Sequence, residues 1–457
     1  MTIARGRVLI ALLAASLGMP SLHAQVTTGA VSGTVVDPSN APIPGVKVTL
    51  TDTATGASRI LATDGSGAYA ATLLGIGTYD ITAEKEGFSR AVLSGIQVGI
   101  NQTLRVDISL RLGSIAQTVE VSAAPPLVDT IHSSIGTVET EQRILELPLN
   151  GRNFVGLADL GSGVNSGVTG ATNNGTTFET ARANQSLSVN GLSVLNNNFL
   201  LDGLDNNEFG NGAAVALPPP DAIAEFRTEE SSMAAEFGRG GAAINVVLKS
   251  GTNQLHGHLW EFLRNDKLDA LNYFAPSRTP FKRNQFGFSV GGPIRKNRTF
   301  IFGDYQGTRI RESSPFISTV PTLTERGGDF TDQAAVLYDP LTTDPVSGNR
   351  ALLNPANPYV IPANRINQVG QNIVNIYPQP NLPGIVNNYV DDPSSPSNEN
   401  SFDIRFDHNF RASDLVFVHY TFDNYYINRP SPLGNLGGEV CCPSTDLNRA
   451  QTAGVGW

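Results

Sequence analysis

Cysteine occurs only twice in 457 residues, at the adjacent positions Cys441 and Cys442, so no framework of disulfides staples this chain. Basic residues are outnumbered, with 31 Lys and Arg against 41 Asp and Glu. That balance excludes the concentrated basic surface a nucleic-acid partner requires. A membrane-spanning helix is also missing, because the apolar run from Val8 to Leu17 is too short to cross a bilayer. That run follows Arg5 and Arg7 and precedes Pro20 and Ala24, the pattern of an export signal over residues 1–24. A chain without helical spans that enters a membrane after export must cross it as a β-barrel. Methionine is scarce, whereas 46 glycines and abundant Asn and Thr favour strands and turns. The length predicts two or three domains, and the fold class is all-β dominated.

From Ala30 to Leu110 about seven short strand candidates are separated by turn signals. They include "AVSGTVVD", "GVKVTLTD", "AYAATLL", "TYDITAEKEGF" and "TLRVDISL", with "DGSG" at 64–67 between two of them. Short alternating strands at this spacing predict an N-terminal β-sandwich. "GTVVD", "APIPGVKVTL" and "DGSGAYAATLLGIGTYDITAEKEGF" closely resemble the carboxypeptidase-regulatory-like domain over residues 28–112. The resemblance implies a transthyretin-like accessory module, sometimes grouped with carbohydrate-binding-like folds, and no peptidase chemistry.

Next comes "AQTVEVSAAPPLVDT", residues 116–130, a β-prone run closed by Pro125 and Pro126. Two readings stand side by side. It is the last strand of the sandwich followed by a linker, or a segment that adds to the edge of a partner's sheet through its main chain.

Residues 125–250 are rich in Asn and Gly, and three pieces stand out: "LPLNGRNF" (147–154), "LSVNGLSVLNNNFLLDGLDNNEFGNG" (187–212) and "PDAIAEFRTEESSMAAEFGRGGAAINVVLKSGTNQLHG" (220–257). Asn190-Gly191 predicts a strand–turn–strand hairpin. "AIAEFR" is helix-like, and "AINVVLK" reads as a strand. In this order the pieces resemble the plug domain of TonB-dependent outer-membrane receptors of the Oar-like branch. "GRGGAAINVVLKSG" (238–251) matches the glycine-rich turn, strand and Lys-x-Gly that end such plugs. The resemblance implies a small α+β plug over 125–250. It also implies an energy-coupling segment within 113–124, with "TVEVSA" placing partner-binding residues at Thr118, Val119, Glu120 and Val121.

After Ser250 the pattern changes to aromatic strands: "LHGHLWEFLR" (255–264), "RNQFGFSVGG" (283–292), "TFIFGDYQGTR" (299–309), "SFDIRFDHNF" (401–410) and "DLVFVHYTFDNYY" (414–426), with a sixth beginning near Ala450. The connections 265–282, 310–400 and 427–449 are long, whereas 293–298 and 411–413 are short. Long external loops alternating with short periplasmic turns are the layout of an outer-membrane barrel. Residues 251–457 are therefore expected to be the first strands of a transmembrane antiparallel β-barrel. Phe402, Ile404, Phe406 and Phe410 then face lipid, and Asp403, Arg405 and Asp407 face the lumen. Trp260, Tyr425 and Tyr426 are expected in interfacial girdles. Plugged barrels of this type have about 22 strands, so five strands and part of a sixth form an incomplete barrel, and the chain is expected to be a fragment.

Motifs of catalysis and metal binding do not hold up. "GFSVG" (287–291) has the spacing of a nucleophile elbow, but Ser289 lies inside an alternating strand and not on a strand-to-helix turn. "GRGGAA" precedes a strand where a dinucleotide loop needs a helix. His256 and His258 share a strand face without a third ligand. Asp202, Asp205 and Glu208 lack calcium-loop spacing. The expectation is thus a non-enzyme with no cofactor, metal or catalytic residue. The expected role is energised uptake across the outer membrane, with the sandwich and plug on the periplasmic side. Its partners would be a TonB-type coupling protein, outer-membrane lipid and an extracellular ligand (siderophore, saccharide, peptide or cobalamin). The alternative is a surface or periplasmic binding protein that holds glycan or protein on the sandwich and transports nothing.

Overall fold

A computed structural model describes residues 27–113, 118–120, 135–166, 187–208, 214–231, 240–271, 273, 278–313, 315–411, 414–431, 433 and 444–457. The export signal, Val121 and the Cys441–Cys442 pair lie outside the described residues. Among the described residues, no helix is long and apolar enough to cross a membrane.

The sandwich begins with β1 (Gly29–Val36), β2 (Lys47–Asp52), β3 (Ser58–Ala62), β4 (Ala68–Leu74), β5 (Gly77–Glu84) and β6 (Arg90–Val98), followed by β7 (Thr103–Arg105) and β8 (Ile108–Ser109). One sheet runs β4-β1-β7, with β8 also on β1. The other runs β3-β2-β5-β6 and is extended by β9 (Thr118–Glu120). Alternation along β2 and β5 puts Val48, Leu50, Tyr79, Ile81 and Ala83 in a core shared with Val31, Val35, Ile96 and Leu110. Gly33 is needed where β1 meets the link between β7 and β8, since a Cβ there would sit 1.9 Å from the Val106 carbonyl oxygen.

A middle unit follows, made of β10 (Ile135–Thr140), β11 (Val164–Ser166), β12 (Leu187–Val189), β13 (Asn198–Leu201), β14 (Leu204–Asp205), β15 (Ile223–Ser231) and β16 (Ala243–Leu248). Its main sheet is ordered β10-β15-β16-β13-β14. The short helix Glu141–Glu146 buries Ile144 against it. Two expectations are corrected here. "AIAEFR" is not helical: after the turn Pro220–Ala222 the chain runs straight into β15, paired with β10 and β16 on its two sides. Asn190 and Gly191 do adopt the positive φ values of a tight turn, 52° and 75°, but the flanking strands do not pair with each other. β12 pairs with β11, and β13 pairs in parallel with β16.

The third unit is one antiparallel sheet ordered β17-β18-β19-β22-β23-β24. Its strands are β17 (His256–Asn265), β18 (Phe281–Arg295), β19 (Thr299–Ser313), β22 (Ser394–Arg411), β23 (Asp414–Arg429) and β24 (Ser444–Gly456). They run longer than the sequence pattern implies, because polar positions such as Ser394–Ser401 pair as well as the aromatic ones. Between β19 and β22 the chain builds a lobe closed at its neck by β20 (Phe316–Ser318) and β21 (Tyr389–Asp391). Thr322 and Glu325 form a capping box there, and Arg326 bonds to the last carbonyls of the helix Gln368–Ile376 and beyond (Val374, Tyr377, Pro378).

Candidate functional site, the seat of the middle unit

The two faces of the six-stranded sheet differ in chemistry. Outward positions carry Leu259, Phe288, Val290, Ile301, Ile404, Phe406, Val418 and Val455, all exposed. The register aligns them in rows across the strands, such as Val290, Gly303, Ile404 and Tyr420. The opposite face carries Ser289, Asp304, Asp403 and Thr421 in one row, all buried. The expected division of "SFDIRFDHNF" is observed at most positions: Asp403, Arg405 and Asp407 are buried, Ile404, Phe406 and Phe410 are exposed, and Phe402 is half-buried. What covers the polar face is the middle unit, and Phe302 of β19 joins its hydrophobic core. The girdle assignments of Trp260 and Tyr425 are corrected. Trp260 pairs with Gly287 in the inward row and meets the middle unit, and Tyr425 is buried.

At the centre of this junction Asp202 follows β13 in a left-handed conformation, φ 50°, which aims its carboxylate at the sheet. Asp202 Oδ1 accepts from the Leu248 amide at 3.0 Å and from Arg405 Nη1 at 2.7 Å. Its Oδ2 lies 2.6 Å from His419 Nδ1. Arg405 also donates to the Leu248 carbonyl at 3.1 Å and holds Asp407 through Nε and Nη2 at 3.0–3.2 Å. Asp407 in turn accepts from Ser250 Oγ at 2.7 Å. The guanidinium lies 4.6 Å from the Phe417 ring centre. Thr421 donates to Asp403. One guanidinium thus bridges two carboxylates from two units, with nearly every donor used. This is the geometry in which a buried ion pair offsets its desolvation.

A second contact comes from "LPLNGRNF". Gly151 turns at φ 67°, and its carbonyl accepts from Arg283 Nη2 at 3.4 Å and Gln285 Nε2 at 3.3 Å. A Cβ at Gly151 would lie 2.8 Å from Arg283 Nη2, the movable end of a flexible side chain, so it is the left-handed φ that favours glycine here. Arg152 pairs with Asp221 and lies 4.2 Å from the Phe262 ring centre and 5.7 Å from that of Trp260.

On the side of the short turns the sandwich is tied to both other units. Glu225 accepts from the Ile100 amide at 2.7 Å, and Arg227 donates to the Ile100 and Asn101 carbonyls at 3.3 Å. Burial pushes the Glu225 carboxyl above its ordinary value, against the opposing pull of the Ile100 amide and Arg227. Asn253, just ahead of β17, bonds to the Ala54 and Thr55 carbonyls at 3.0 and 2.7 Å and to Asn297 in the turn after β18.

Of the sequence-derived partner residues, Thr118, Val119 and Glu120 form β9. β9 pairs in parallel with β6, opposite Arg90, Ala91 and Val92. Val121 is outside the described residues. Sequence reasoning missed the junction itself. Asp202 attracted notice only as a calcium donor, and its partners Arg405 and His419 lie 203 and 217 residues away. No local signal reports such a pairing. Among the described residues no cluster of three or more His, Cys, Asp or Glu is placed to hold a metal ion.

Two segments of the chain match known domain families. Residues 247–457 match the outer membrane beta barrel domain, and residues 30–111 match the carboxypeptidase regulatory-like domain. The TonB-dependent transporter Oar of Myxococcus xanthus is 27% identical over 293 residues, 60% of this chain. The chain spans about a quarter of that relative's length, 26%. Among solved structures, the outer membrane transporter YddB from Escherichia coli aligns over 65% of this chain and 34% of its own at 12% identity, TM-score 0.38. A streptococcal ancillary pilin aligns over 19% of this chain and 33% of its own at 20% identity, TM-score 0.16.

Proposed function

Because this chain is a homologue of the transporter Oar that joins a carboxypeptidase regulatory-like domain to an outer membrane beta barrel domain, we propose that it is the front portion of a TonB-dependent receptor for energised uptake. Residues 125–250 are its plug, residues 251–457 its first barrel strands, and Thr118–Val121 its coupling segment. The observation that carries the proposal is the seat just described. A separate unit occupies the polar face of a lipid-type sheet and is held by a compact charged lock, Asp202–Arg405–His419. Such a plug blocks the lumen until it is displaced. Force on the coupling segment, supplied by a TonB-type partner through strand addition, is what would displace it. The cargo is an extracellular ligand of the siderophore, saccharide, peptide or cobalamin kind, met by the lobe and plug from outside. The chain's own residues perform gating and no bond chemistry.

Deleting Thr118–Val121 tests this. The variant is expected to reach the outer membrane at the normal level and to lose capture by the C-terminal domain of a TonB-type protein. Undiminished capture would refute the assignment. Release of the intact protein from membranes without detergent would instead favour a surface binding protein that does not transport.

A further inference from the structure

We infer that the lobe between β19 and β22 carries a docking surface for a basic, amphipathic polypeptide, seated on the helix Gln368–Ile376. The inference rests on the receptor reading proposed above, in which the lobe meets the cargo outside, and it narrows that cargo to the peptide class. The helix is capped by Asn367, whose Oδ1 accepts from the Val369 amide at 2.7 Å and the Gly370 amide at 3.4 Å. By helical spacing Val369, Ile373 and Ile376 share one stripe. A surface helix ordinarily turns such a stripe toward its core. Here the three side chains are 66%, 52% and 51% exposed, and the opposite side of the helix faces the lobe. On that side Gln371 donates through Nε2 to the Arg326 carbonyl at 3.0 Å, and Val374 is half-buried. The Arg326 guanidinium holds the end of the helix to the lobe through the Val374 and Tyr377 carbonyls at 3.0 and 3.1 Å. The apolar stripe is thus presented outward by polar contacts behind it.

Charge selects the occupant. Residues 315–393 hold seven Asp and Glu against three Arg, with no Lys or His. Two of the three arginines are spent within the lobe. Arg365 pairs with Asp339 through two bonds of 3.0 Å, and Arg326 is turned to backbone carbonyls. Asp332, Asp344 and Asp392 are exposed, and the helix itself carries no charge. An apolar stripe on an acidic body complements a partner that combines apolar anchors with Lys or Arg. The same acidity repels an anionic bilayer surface, and a second copy of the lobe would set like charge against like.

Fluorescence anisotropy on the intact chain in phosphatidylcholine nanodiscs, with empty nanodiscs as the blank, tests the inference. The probes are an amphipathic Lys/Leu peptide of about 14 residues and its Glu/Leu counterpart. The Lys/Leu peptide is expected to bind about tenfold or more tighter than the Glu/Leu peptide and to weaken as salt is raised. Ile373→Asn combined with Ile376→Asn, both at exposed positions, should weaken it about tenfold while the lobe keeps its resistance to proteolysis. No binding of the Lys/Leu peptide, equal affinity for the two peptides, or unchanged affinity in the double variant would overturn the inference. Self-association of the chain that the double variant abolishes would assign the stripe to a second copy and overturn it too. The two readings fail separately. Capture by a TonB-type domain that survives deletion of Thr118–Val121 refutes the receptor reading whether or not the peptide binds. Capture lost on that deletion, with no peptide bound by the native chain, refutes the docking surface alone.

Discussion

Arg405 touches both the middle unit and the barrel sheet, and its environment makes its replacement costly. Removing the guanidinium leaves Asp202 and Asp407 buried without their cation. Breaking a buried pair in this way costs about 3–5 kcal/mol. Arg405→Met is expected to lower the urea midpoint at which the middle unit becomes protease-sensitive in detergent-solubilised protein, while Asp202→Asn, which keeps the shape, should cost less. Carboxylates elsewhere predict an opposed response to acid. In the sandwich, Asp37 and Asp64 lie below the ordinary value because Ser39 and Ser66 donate to them, aided by the Ala41 and Ala68 amides. A depressed carboxyl contributes stability above its unfolded value that is lost as pH falls through the folded one. In the middle unit, burial raises Glu139, Glu225 and Glu230. The folded state then takes up protons first, so stability rises as pH falls through the raised values toward about 4.3. Thermal unfolding at stepped pH should show the middle unit gaining on mild acidification, and the sandwich losing only below about pH 4.

Individual strands were legible in the sequence where alternation ran between unlike media. β1, β2, β4 and β5 and the first five strands of the barrel sheet overlap patterned stretches, whereas β24 starts at Ser444, ahead of the expected start near Ala450. "AIAEFR" misled because Ile223 and Phe226 are buried by their neighbours in the middle of a sheet, and a strand buried on both sides loses its period-2 signature. The Asn-Gly turn was legible as a turn but not as a hairpin, since the pairing of β12 with β11 and of β13 with β16 is a long-range choice. Trp260 was misplaced for a related reason: an aromatic on the polar face makes sense only once Arg152 is seen above it. Two elements carry predictions of their own. Gly33→Ala should wedge β1 away from Val106 and lower sandwich stability by about 1–3 kcal/mol, read as a shift in the urea midpoint. Arg326→Ala should free the carbonyls after Val374 and destabilise the lobe by about 3 kcal/mol, seen as faster proteolysis between β20 and β21.

At the scale of the molecule, the structure divides into three units in order, and the physical reason is that each has its own apolar partner: a private core for the sandwich, a second for the middle unit, and lipid for the outward face of the barrel sheet. How the units are tied together was not readable, because Glu225 to Ile100, Asn253 to Thr55 and Asp202 to Arg405 are single polar contacts across long stretches of chain. The two-faced sheet makes a direct prediction for bilayers containing brominated acyl chains. A tryptophan introduced by Ile404→Trp should be strongly quenched, whereas native Trp260 should be quenched little; equal quenching would mean that the faces are reversed. The lobe between β19 and β22 has a wider consequence. Its two ends meet at the pairing of Phe316 with Asp391, and it is braced from within by Arg326 and by Asn388, which bonds both ways to Val320. A segment that enters and leaves at one point and supports its own shape can be exchanged whole between sheets of this kind, so recombination can replace its outer surface without rebuilding the wall that carries it.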